Sequence, residues 1–305
     1  MEFLKMLQEI RNPVLDVLLG LVTRLGEETI LMVAGMAILW CVNKHWGFQL
    51  MFAGLGGSAV NQLLKAIFLI PRPWVLDPSF TIVESAREAA TGYSFPSGHT
   101  QTAAGVFGML AVWAKQKWLK IALIVLVALV GFSRMYLGVH TPLDVGVSLV
   151  TGAMTVALMI AAYRRAQESD KGALQLTAGL LLAAAVLVAY VYFAPKRAAN
   201  DPEFDAHGIK SAWTILGTTA GIVAAWWYDR KRLNYDTKAV WWAQLGKLAI
   251  GFGLVMAVRL GLKPVLQLIF GDAAFNTGIR YFLMCVAGGI LWPMTFKWWA
   301  RLGRA

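Results

Sequence analysis

The stretch IALIVLVALVGFSRMYLGVHTPLD, residues 121–144, joins a long apolar run to a short group of polar residues. The apolar run carries no charged side chain before Arg134, and with its flanks it predicts a helix that spans a bilayer. His140 and Asp144 follow where that span ends. The stretch therefore predicts a membrane span that finishes in a group of ionisable side chains.

The rest of the chain repeats the apolar half of this pattern. Of its 305 residues, 58% are hydrophobic and 15% are charged, and the mean hydropathy is +0.59. A soluble domain of this length carries more charge and fewer apolar runs. We therefore expect an all-α polytopic membrane bundle with about nine spans. The predicted spans are 28–43, 47–70, 97–114, 118–137, 142–163, 173–193, 210–228, 246–270 and 279–299.

The first 27 residues differ from these spans, because charged residues are scattered among leucines and valines. A cleavable signal peptide has a basic start and an unbroken apolar core. Segment 1–27 therefore predicts an amphipathic helix in the membrane interface. The remainder divides into a transmembrane core of about six helices over 28–165 and a C-terminal extension of about three helices over 166–305.

The net charge of +11 reflects cations that cluster in alternate loops. This distribution is typical of membrane topology and does not favour nucleic-acid binding. The cation-rich set contains Lys44, Lys115, Lys117, Lys120, Arg164, Arg165, Lys171, Arg230, Lys231, Arg232, Lys238, Lys297, Arg301 and Arg304. The other set contains Asp77, Glu84, Glu88, Asp201, Glu203, Asp205 and Asp272, with fewer cations. By the positive-inside rule the first set and the C-terminus are cytoplasmic, and the second set faces the exterior.

Three polar motifs fall on the predicted outer side, and the first is KAIFLIPRP, residues 65–73. Lys65 and Arg72 are seven residues apart, close to two helical turns, so we expect both to project from one face at the outer end of a helix. Pro71 and Pro73 end that helix. Taken alone, two cations at a membrane interface are also an ordinary anchoring pattern.

The second motif is PSGH, residues 96–99. Ser97 suits a helix N-cap, and Gly98 allows a ligand to approach the backbone closely. The exposed amides and positive end of a helix favour an anion, and His99 in the first turn would lie beside it. A single histidine near a helix start is otherwise often an ordinary surface residue.

The third motif contains Ser133, Arg134, His140 and Asp144. The four-residue spacing lets the Asp144 carboxylate hold one imidazole nitrogen of His140, which leaves the other nitrogen free to attack. An interfacial ion pair is the alternative for this motif alone. Between His140 and His99, spacing favours His140 as a nucleophile only because Asp144 is near.

Together the motifs offer three fixed cations, two imidazoles and one carboxylate. An anion with three oxygens needs several fixed donors, which guanidinium and ammonium groups supply. An attacking histidine needs an orienting carboxylate, and a leaving oxygen needs a proton, which His99 can give. The combination indicates a phosphate pocket with a nucleophile and an acid. Cys41 and Cys285 lie in apolar runs and indicate neither a disulfide framework nor a zinc site.

Lys-x6-Arg-Pro, Pro-Ser-Gly-His and Ser-Arg-x5-His-x3-Asp together resemble the motifs of the phosphatidic-acid phosphatase type 2 superfamily. All three match without a substitution, and the resemblance covers about residues 45–160. That family includes lipid phosphate phosphatases, undecaprenyl-diphosphate phosphatases and glucose-6-phosphatase. The resemblance implies an integral membrane phosphatase.

The resemblance also implies a role for each motif residue. His140 would be the nucleophile that forms a phosphohistidine, Asp144 would orient it, and His99 would protonate the leaving group and then activate water. No metal ion or other cofactor is expected, because fixed cations supply the charge. The phosphoryl oxygens would be bound by Lys65, Arg72, Arg134, Ser97 and the amide of Gly98.

The expected function is hydrolysis of a lipid phosphate or diphosphate at the outer face of a bacterial cytoplasmic membrane. Undecaprenyl diphosphate is the first candidate, followed by phosphatidate and phosphatidylglycerol phosphate, and membrane lipids are the expected partners. The oligomeric state is left open. The nine-span layout and the RPWVLD run, residues 72–77, suggest a glucose-6-phosphatase type of sugar-phosphate phosphatase as an alternative. A lipid phosphotransferase is another, and a transporter or scaffold with an inactive pocket is disfavoured by the intact motifs.

Arg259 lies near the middle of the predicted span 246–270, and Lys263 follows one turn later. An intramembrane cation is costly and usually faces a cavity or a partner. Arg259 would line a groove for a lipid phosphate or pair with an acid on another helix. If the span is displaced, it would instead lie closer to the interface.

Overall fold

The computed structural model describes residues 1–194 and 202–302. The described residues form helices and short connections and contain no strand. The prediction of an all-α membrane protein is therefore confirmed. Asp201 and Arg304, which belong to the predicted loop sets, lie outside the described residues.

The described helices follow the predicted spans closely. They are α1 Glu2–Glu9, α2 Pro13–Arg24, α3 Glu28–Ala37, α4 Lys44–Phe68, α5 Pro73–Leu76, α6 Gly98–Trp113, α7 Lys117–Tyr136, α8 Pro142–Glu168, α9 Asp170–Phe193, α10 Pro202–Tyr228, α11 Trp241–Phe270, α12 Phe275–Val286 and α13 Phe296–Trp299. Wider π-helical turns continue three of them: Ile38–Val42 after α3, Asp229–Leu233 after α10 and Ala287–Leu291 after α12.

Within the described residues, six segments are long and apolar enough to cross a membrane. They are Lys44–Leu76, Lys117–Tyr136, Pro142–Glu168, Asp170–Phe193, Trp241–Phe270 and Phe275–Trp299. A helix lies at every one of the nine predicted spans, but α6 and α10 are not among these six. α6 has 16 residues, which is short for a full crossing. Most side chains of α6 are buried by neighbouring protein, so its length does not have to match the bilayer.

The N-terminal segment differs from its prediction as one amphipathic helix, because it forms the two helices α1 and α2. Asn12 caps α2, since its side-chain oxygen accepts a hydrogen bond from the Leu15 amide at 3.0 Å. Pro13 follows at the first helical position. α2 and the continuous helix Glu28–Val42 are together long and apolar enough to cross a membrane, and their axes differ by 49°. This pair raises the span count among the described residues to seven.

The chain packs as two compact units, each assembled from separate parts of the sequence. The first unit comprises Met1–Leu31, Gly56–Ala161 and Ala189–Gly208. The second unit comprises Met32–Leu55, Ala162–Val188 and Ile209–Ala305. The division into 1–27, 28–165 and 166–305 stays a prediction.

In the first unit, α7 is the central helix and packs against α1, α2 and α6. Tyr136 at its end is fully buried and belongs to an apolar cluster on which Leu15 and Leu19 of α2 pack. A second cluster joins Leu4 and Leu7 of α1 to residues of the 77–97 loop. The N-terminal helices are therefore part of the folded unit that carries all three polar motifs.

In the second unit, α11 packs against α12. Trp226 of α10 lies edge-on to Phe52, with ring centroids 5.7 Å apart. Arg259 is half-buried in α11 and Lys263 is exposed. The predicted roles of these two cations stay predictions.

Candidate active site

The three motifs meet in the first unit through hydrogen bonds between their loops. The Ser97 amide donates to the Asp144 carbonyl at 3.1 Å, which ties the second motif to the third. Arg72 donates from Nη1 to the Val139 carbonyl at 3.0 Å, which ties the first motif to the third. Lys65, Arg72, Ser97, Arg134, His140 and Asp144 are all buried. The structure therefore brings the predicted site residues together.

The path of the first motif differs from its prediction. Lys65 and Arg72 do not lie on one helix, because α4 ends at Phe68 and Leu69 adopts a φ of 51°. That left-handed conformation is strained for leucine and turns the chain sharply. Arg72 instead precedes the first residue of α5 in an extended conformation. The two cations converge because the chain reverses between them, not because of helical periodicity.

Asp144 is fixed in place by a capping box at the start of α8. Its amide donates to Thr141 Oγ1 at 3.3 Å, and the Thr141 amide donates back to Asp144 Oδ2 at 2.7 Å. The same Oδ2 lies 3.4 Å from His140 Nδ1. The helix cap thus holds the carboxylate against the imidazole, as the four-residue spacing predicts.

Ser94 is a site residue that the motifs do not contain. It is fully buried, and its hydroxyl donates to Asp144 Oδ2 at 2.6 Å. The same hydroxyl oxygen lies 3.5 Å from His140 Nδ1. Ser94 therefore contacts both members of the pair. A serine in a loop has no periodic signal, so the sequence alone does not indicate it.

Arg72 determines which nitrogen of His140 carries the proton. Its Nη1 lies 2.9 Å from His140 Nε2. A guanidinium only donates hydrogen bonds, so Nε2 is the acceptor and Nδ1 carries the hydrogen toward Asp144. Burial first, and then the charge of Arg72, holds the pKa of His140 well below its ordinary value. His140 is accordingly neutral near pH 7, with its lone pair on Nε2.

The turn between Arg134 and His140 depends on a glycine. Gly138 has a φ of 81°, a region that favours glycine. A Cβ at this position would also lie 2.7 Å from Arg11 Nη2 and 3.0 Å from the ring of Phe80. The turn after α7 that leads to His140 therefore depends on Gly138, because residues with a side chain do not readily adopt its conformation.

Lys65 and Arg72 use most of their donors within the protein, on the loop before the second motif and, for Arg72, also on Val139 and His140. Lys65 Nζ donates to the carbonyls of Tyr93 at 2.6 Å and Ser94 at 3.3 Å. Arg72 donates from Nε to Gly92 at 3.0 Å and from Nη2 to Thr91 at 2.7 Å. A guanidinium has five N–H donors and an ammonium has three. These two cations therefore shape the site and keep few donors for a ligand.

Arg134 is different, because most of its donors have no acceptor within the part of the chain that the structure describes. It is fully buried and donates from Nη1 to Thr23 Oγ1 at 2.8 Å. Its Nε and Nη2 have no partner among the described residues, and neither do His99 Nε2 and Asn61 Nδ2. A buried donor without a partner typically costs about 1–3 kcal/mol. Unused donors of this kind are suited to an anion.

The second motif has the predicted helix-capping geometry. Ser97 Oγ accepts hydrogen bonds from the Thr100 amide at 3.4 Å and from Thr100 Oγ1 at 2.9 Å, and α6 begins at Gly98. A Cβ at Gly98 would meet only Asn61 Oδ1, at 3.9 Å, which is an ordinary contact. Packing within the described protein therefore does not require glycine at 98, whereas close approach of a ligand to the backbone would.

Two family models match the chain. The first, the PAP2 superfamily, matches residues 46–168. The second, the PAP2 superfamily phosphatase transmembrane extension, matches residues 213–303 and covers most of the predicted C-terminal helices.

Curated relatives agree with these matches. The chain is 32% identical over 149 residues to Phosphatidylglycerophosphatase B of Bacillus subtilis (strain 168). The aligned segment covers 45% of this chain and 69% of that protein. It is 29% identical over 152 residues to Undecaprenyl-diphosphatase BcrC of the same organism, covering 49% and 72%. It is 26% identical over 238 residues to the Probable sphingosine-1-phosphate phosphatase of Dictyostelium discoideum, covering 72% and 55%.

The membrane-spanning helices, together with the family matches and the phosphatase relatives, define the class of protein, which is an integral membrane phosphatase. The chain belongs to the PAP2 superfamily. The resemblance that the three motifs indicate is therefore confirmed, and so is the prediction that the chain is a hydrolase.

Proposed function

We propose that the protein hydrolyses a lipid phosphate or diphosphate through a phosphohistidine formed at His140. One observation supports this more than any other. His140 Nδ1 lies 3.4 Å from Asp144 Oδ2, while His140 Nε2 lies 2.9 Å from Nη1 of Arg72, one of the predicted phosphate-binding cations. A neutral imidazole held in this way presents its lone pair to a bound phosphoryl group.

In the first step, His140 Nε2 attacks phosphorus, the new N–P bond forms, and the bond from phosphorus to the leaving oxygen breaks. His99 enters this step as the imidazolium, which the negative charge of the bound phosphoryl group stabilises, and it gives its proton to that oxygen. The Nδ1 proton of His140 stays in place, where Asp144 stabilises the positive ring. Nε2 can no longer accept a hydrogen bond once it is bonded to phosphorus. The Nη1 donor of Arg72 then turns to a phosphoryl oxygen, which lies next to Nε2.

In the second step, His99 takes a proton from water, and the water oxygen attacks phosphorus. The N–P bond breaks, inorganic phosphate leaves, and His140 returns to its neutral form. The same residue acts as acid and then as base, so protons balance over the cycle. Fixed cations stabilise the charge that a divalent ion supplies in other phosphatases.

Among the phosphate-binding residues, Arg134 makes the largest contribution. Its Nε and Nη2 form one edge of the guanidinium, and both are without a partner among the described residues. That edge fits two oxygens of a phosphoryl group side by side. Lys65, Arg72, the Ser97 hydroxyl and the Gly98 amide complete the cradle.

The substrate class follows from the membrane setting and from the relatives. A site at the ends of membrane-spanning helices accepts a headgroup while the lipid tail stays in the bilayer. The matched proteins are named for phosphatidylglycerol phosphate, undecaprenyl diphosphate and sphingosine 1-phosphate. We propose undecaprenyl diphosphate first, and phosphatidylglycerol phosphate and phosphatidate next.

The proposed orientation rests on the charges at the two ends of individual helices. α4 begins at Lys44 and reaches Lys65 near its other end, and α7 begins at Lys117 and ends near Arg134. α8 begins beside Asp144 and carries Arg165 in its last turn. By the positive-inside rule the ends remote from the site are cytoplasmic. The site then faces the exterior of a bacterial cytoplasmic membrane, and the C-terminus lies inside.

The test is phosphate release by the purified full-length protein with EDTA present. The substrates are undecaprenyl diphosphate, phosphatidylglycerol phosphate, phosphatidate and glucose 6-phosphate, each with wild type and His140→Ala. Release from a lipid that His140→Ala abolishes supports the proposal. Release only from glucose 6-phosphate, transfer of the phosphoryl group to a second lipid, or full activity of His140→Ala contradicts it.

A further inference from the structure

The N-terminal helices reach the site although they lie outside the segment that the PAP2 superfamily model matches, which starts at residue 46. Thr23, in the last turn of α2, is buried and accepts a hydrogen bond from Arg134 Nη1 at 2.8 Å. This bond joins residues that are 111 positions apart in the sequence. It is therefore a tertiary contact and not a local cap.

The position of this hydrogen bond on the guanidinium matters. Nη1 of Arg134 is held by Thr23, whereas Nε and Nη2 have no partner among the described residues. Nε and Nη2 are the two nitrogens of the opposite edge, which binds two oxyanion oxygens at once. Anchoring Nη1 fixes the plane of the group and leaves that edge free. Thr23 thus holds the part of Arg134 that a phosphoryl group does not need.

The turn that follows Thr23 is pressed against the second motif. A Cβ at Gly26 would lie 2.6 Å from the His99 carbonyl oxygen and 2.9 Å from His99 Cβ. Only glycine allows the chain to pass this close to the His99 backbone. One short segment, Thr23 to Gly26, therefore contacts the residue that carries the free donors and the residue that supplies the acid.

The other end of α2 is anchored to the same helix that carries Arg134. The Tyr136 hydroxyl donates to Asp16 Oδ1 at 2.9 Å and accepts from the Asn12 amide at 3.2 Å. Arg11 donates from Nε to the Tyr136 carbonyl at 2.9 Å. These bonds set the position of α2 along α7. The position of Thr23 beside Arg134 is consequently set by a helix, α2, that is hydrogen-bonded to α7.

We propose that Thr23 is a positioning residue of the phosphatase site, which makes α2 part of the active site. It acts through Arg134 by holding the guanidinium with its Nε and Nη2 edge toward the phosphoryl group. This inference rests on the proposed function for its kinetic consequences. Its consequence for anion binding stands without turnover, because Arg134 would bind any tetrahedral oxyanion.

The test compares Thr23→Val with Thr23→Ser in the full-length protein. Valine keeps the shape of threonine and removes the acceptor, whereas serine keeps the acceptor. The matched control is Thr177→Val in α9, which removes another buried hydroxyl that accepts a hydrogen bond, from Trp227 Nε1 at 3.2 Å. The measurements are kcat and KM on the lipid phosphate that wild type hydrolyses, and the Kd of orthovanadate by calorimetry.

We expect Thr23→Val to raise the orthovanadate Kd and KM by roughly tenfold each, as loss of one hydrogen bond that aligns a charged donor implies. Thr23→Ser should stay within about twofold of wild type, and Thr177→Val should bind orthovanadate normally. Equal Kd values for Thr23→Val and wild type overturn the inference. Equal weakening by Thr23→Val and Thr177→Val also overturns it.

The outcomes separate this inference from the proposed function. If wild type binds orthovanadate but releases no phosphate from any lipid, the proposed function fails and the Kd comparison still tests Thr23. If wild type hydrolyses a lipid but Thr23→Val leaves Kd and KM unchanged, the proposed function stands and the role of Thr23 is wrong.

Discussion

Both compact units bury a cation completely, but they treat its donors differently. In the second unit, Lys247 is 1% exposed, donates at 2.8 Å to the carbonyls of Trp40 and Thr237, and lies 4.4 Å from the ring centre of Phe296. In the first unit, Arg134 is 0% exposed and leaves Nε and Nη2 without a partner among the described residues.

The two buried cations have different roles in the protein. Lys247 ties parts of its unit together, so its burial is compensated within the fold. Arg134 Nε and Nη2 have no such acceptors among the described residues, and a buried donor without an acceptor lowers the free energy of unfolding. A group that costs stability and is held in place by Thr23 is suited to a ligand. Burial alone therefore does not identify a site. Single buried donors without a partner among the described residues also occur in the second unit, at Trp292 Nε1 and Arg280 Nε, so what distinguishes Arg134 is two such donors on a motif residue of the unit that holds His140 and Asp144.

The largest expected effect distinguishes the histidines of the two units. His140→Ala should reduce kcat by a factor on the order of 10⁴, because the nucleophile is lost. In the second unit, His45 Nδ1 lies 3.5 Å from the Tyr163 hydroxyl. The variant His45→Ala should retain near wild-type kcat. Phosphate release under saturating lipid measures both, and comparable losses in the two variants would break the comparison.

The next effect separates activity from stability with one pair of substitutions. Arg134→Met should lower kcat/KM by on the order of 10²–10³-fold while Tm stays the same or rises, because uncompensated donors disappear. Lys247→Met should keep its kcat/KM and lose about 1–3 kcal/mol of stability, since two buried carbonyls lose their donor.

Phosphate release and thermal unfolding are measured on the same preparations of both variants. A fall in Tm for Arg134→Met as large as that for Lys247→Met would show that both cations are structural. A loss of activity in folded Lys247→Met would equally contradict the division of roles.

A smaller effect is expected from a hydroxyl that the motifs do not contain. Ser94→Ala removes the donor to Asp144 Oδ2 and should lower kcat by roughly tenfold with little change in KM. Ser79→Ala removes a hydrogen bond of the same type and length, 2.6 Å to Asp77 Oδ1, on an exposed loop. It should leave kcat unchanged. Equal behaviour of the two serine variants in steady-state kinetics would exclude a role for Ser94 in orienting His140.

The smallest effect is a pH dependence that follows from the lowered pKa of His140. The neutral ring is the nucleophile, so the acid limb of kcat/KM that reports His140 should lie below pH 6.5. The unfolded chain binds this proton more readily than the folded one, so folded stability falls as pH falls through about 6.5. Tm should therefore drop more between pH 7 and pH 5 for wild type than for His140→Gln. An equal drop would show that His140 is not buried in its neutral form.

The parts of the site that the sequence predicts are those fixed by local geometry. The four-residue spacing of His140 and Asp144 and the N-cap at Ser97 need only neighbouring residues, and both are present. The helical spacing of Lys65 and Arg72 was the wrong reason for their convergence, because a left-handed Leu69 ends α4. Local rules do not predict that reversal, since leucine rarely adopts it.

Long-range partners are the parts that sequence patterns do not reveal. Thr23 and Ser94 contact Arg134 and Asp144 over 111 and 50 positions, and neither lies in a motif. Asn61 lies one turn before Lys65 on α4, but an asparagine in a helix has many ordinary explanations. Among the differences from the predictions, the break between α1 and α2 does have a signal in the sequence, because Asn12 followed by Pro13 is typical of a helix start.

The most direct test of the account is to trap the phosphorylated enzyme. His99→Ala removes both the base for water and the acid for the leaving group. The labelled substrate is therefore undecaprenyl diphosphate with ³²P in its terminal phosphate, because its leaving group is itself a phosphate and needs protonation less than an alkoxide does. The attack of water is then the slowed step, so a brief reaction quenched in alkali should leave label on the chain. Peptide mass spectrometry then locates the label. Phosphate is expected on His140 in His99→Ala, and no label is expected in the His99→Ala/His140→Ala double variant. Turnover without a labelled chain, or label on another residue, would contradict it.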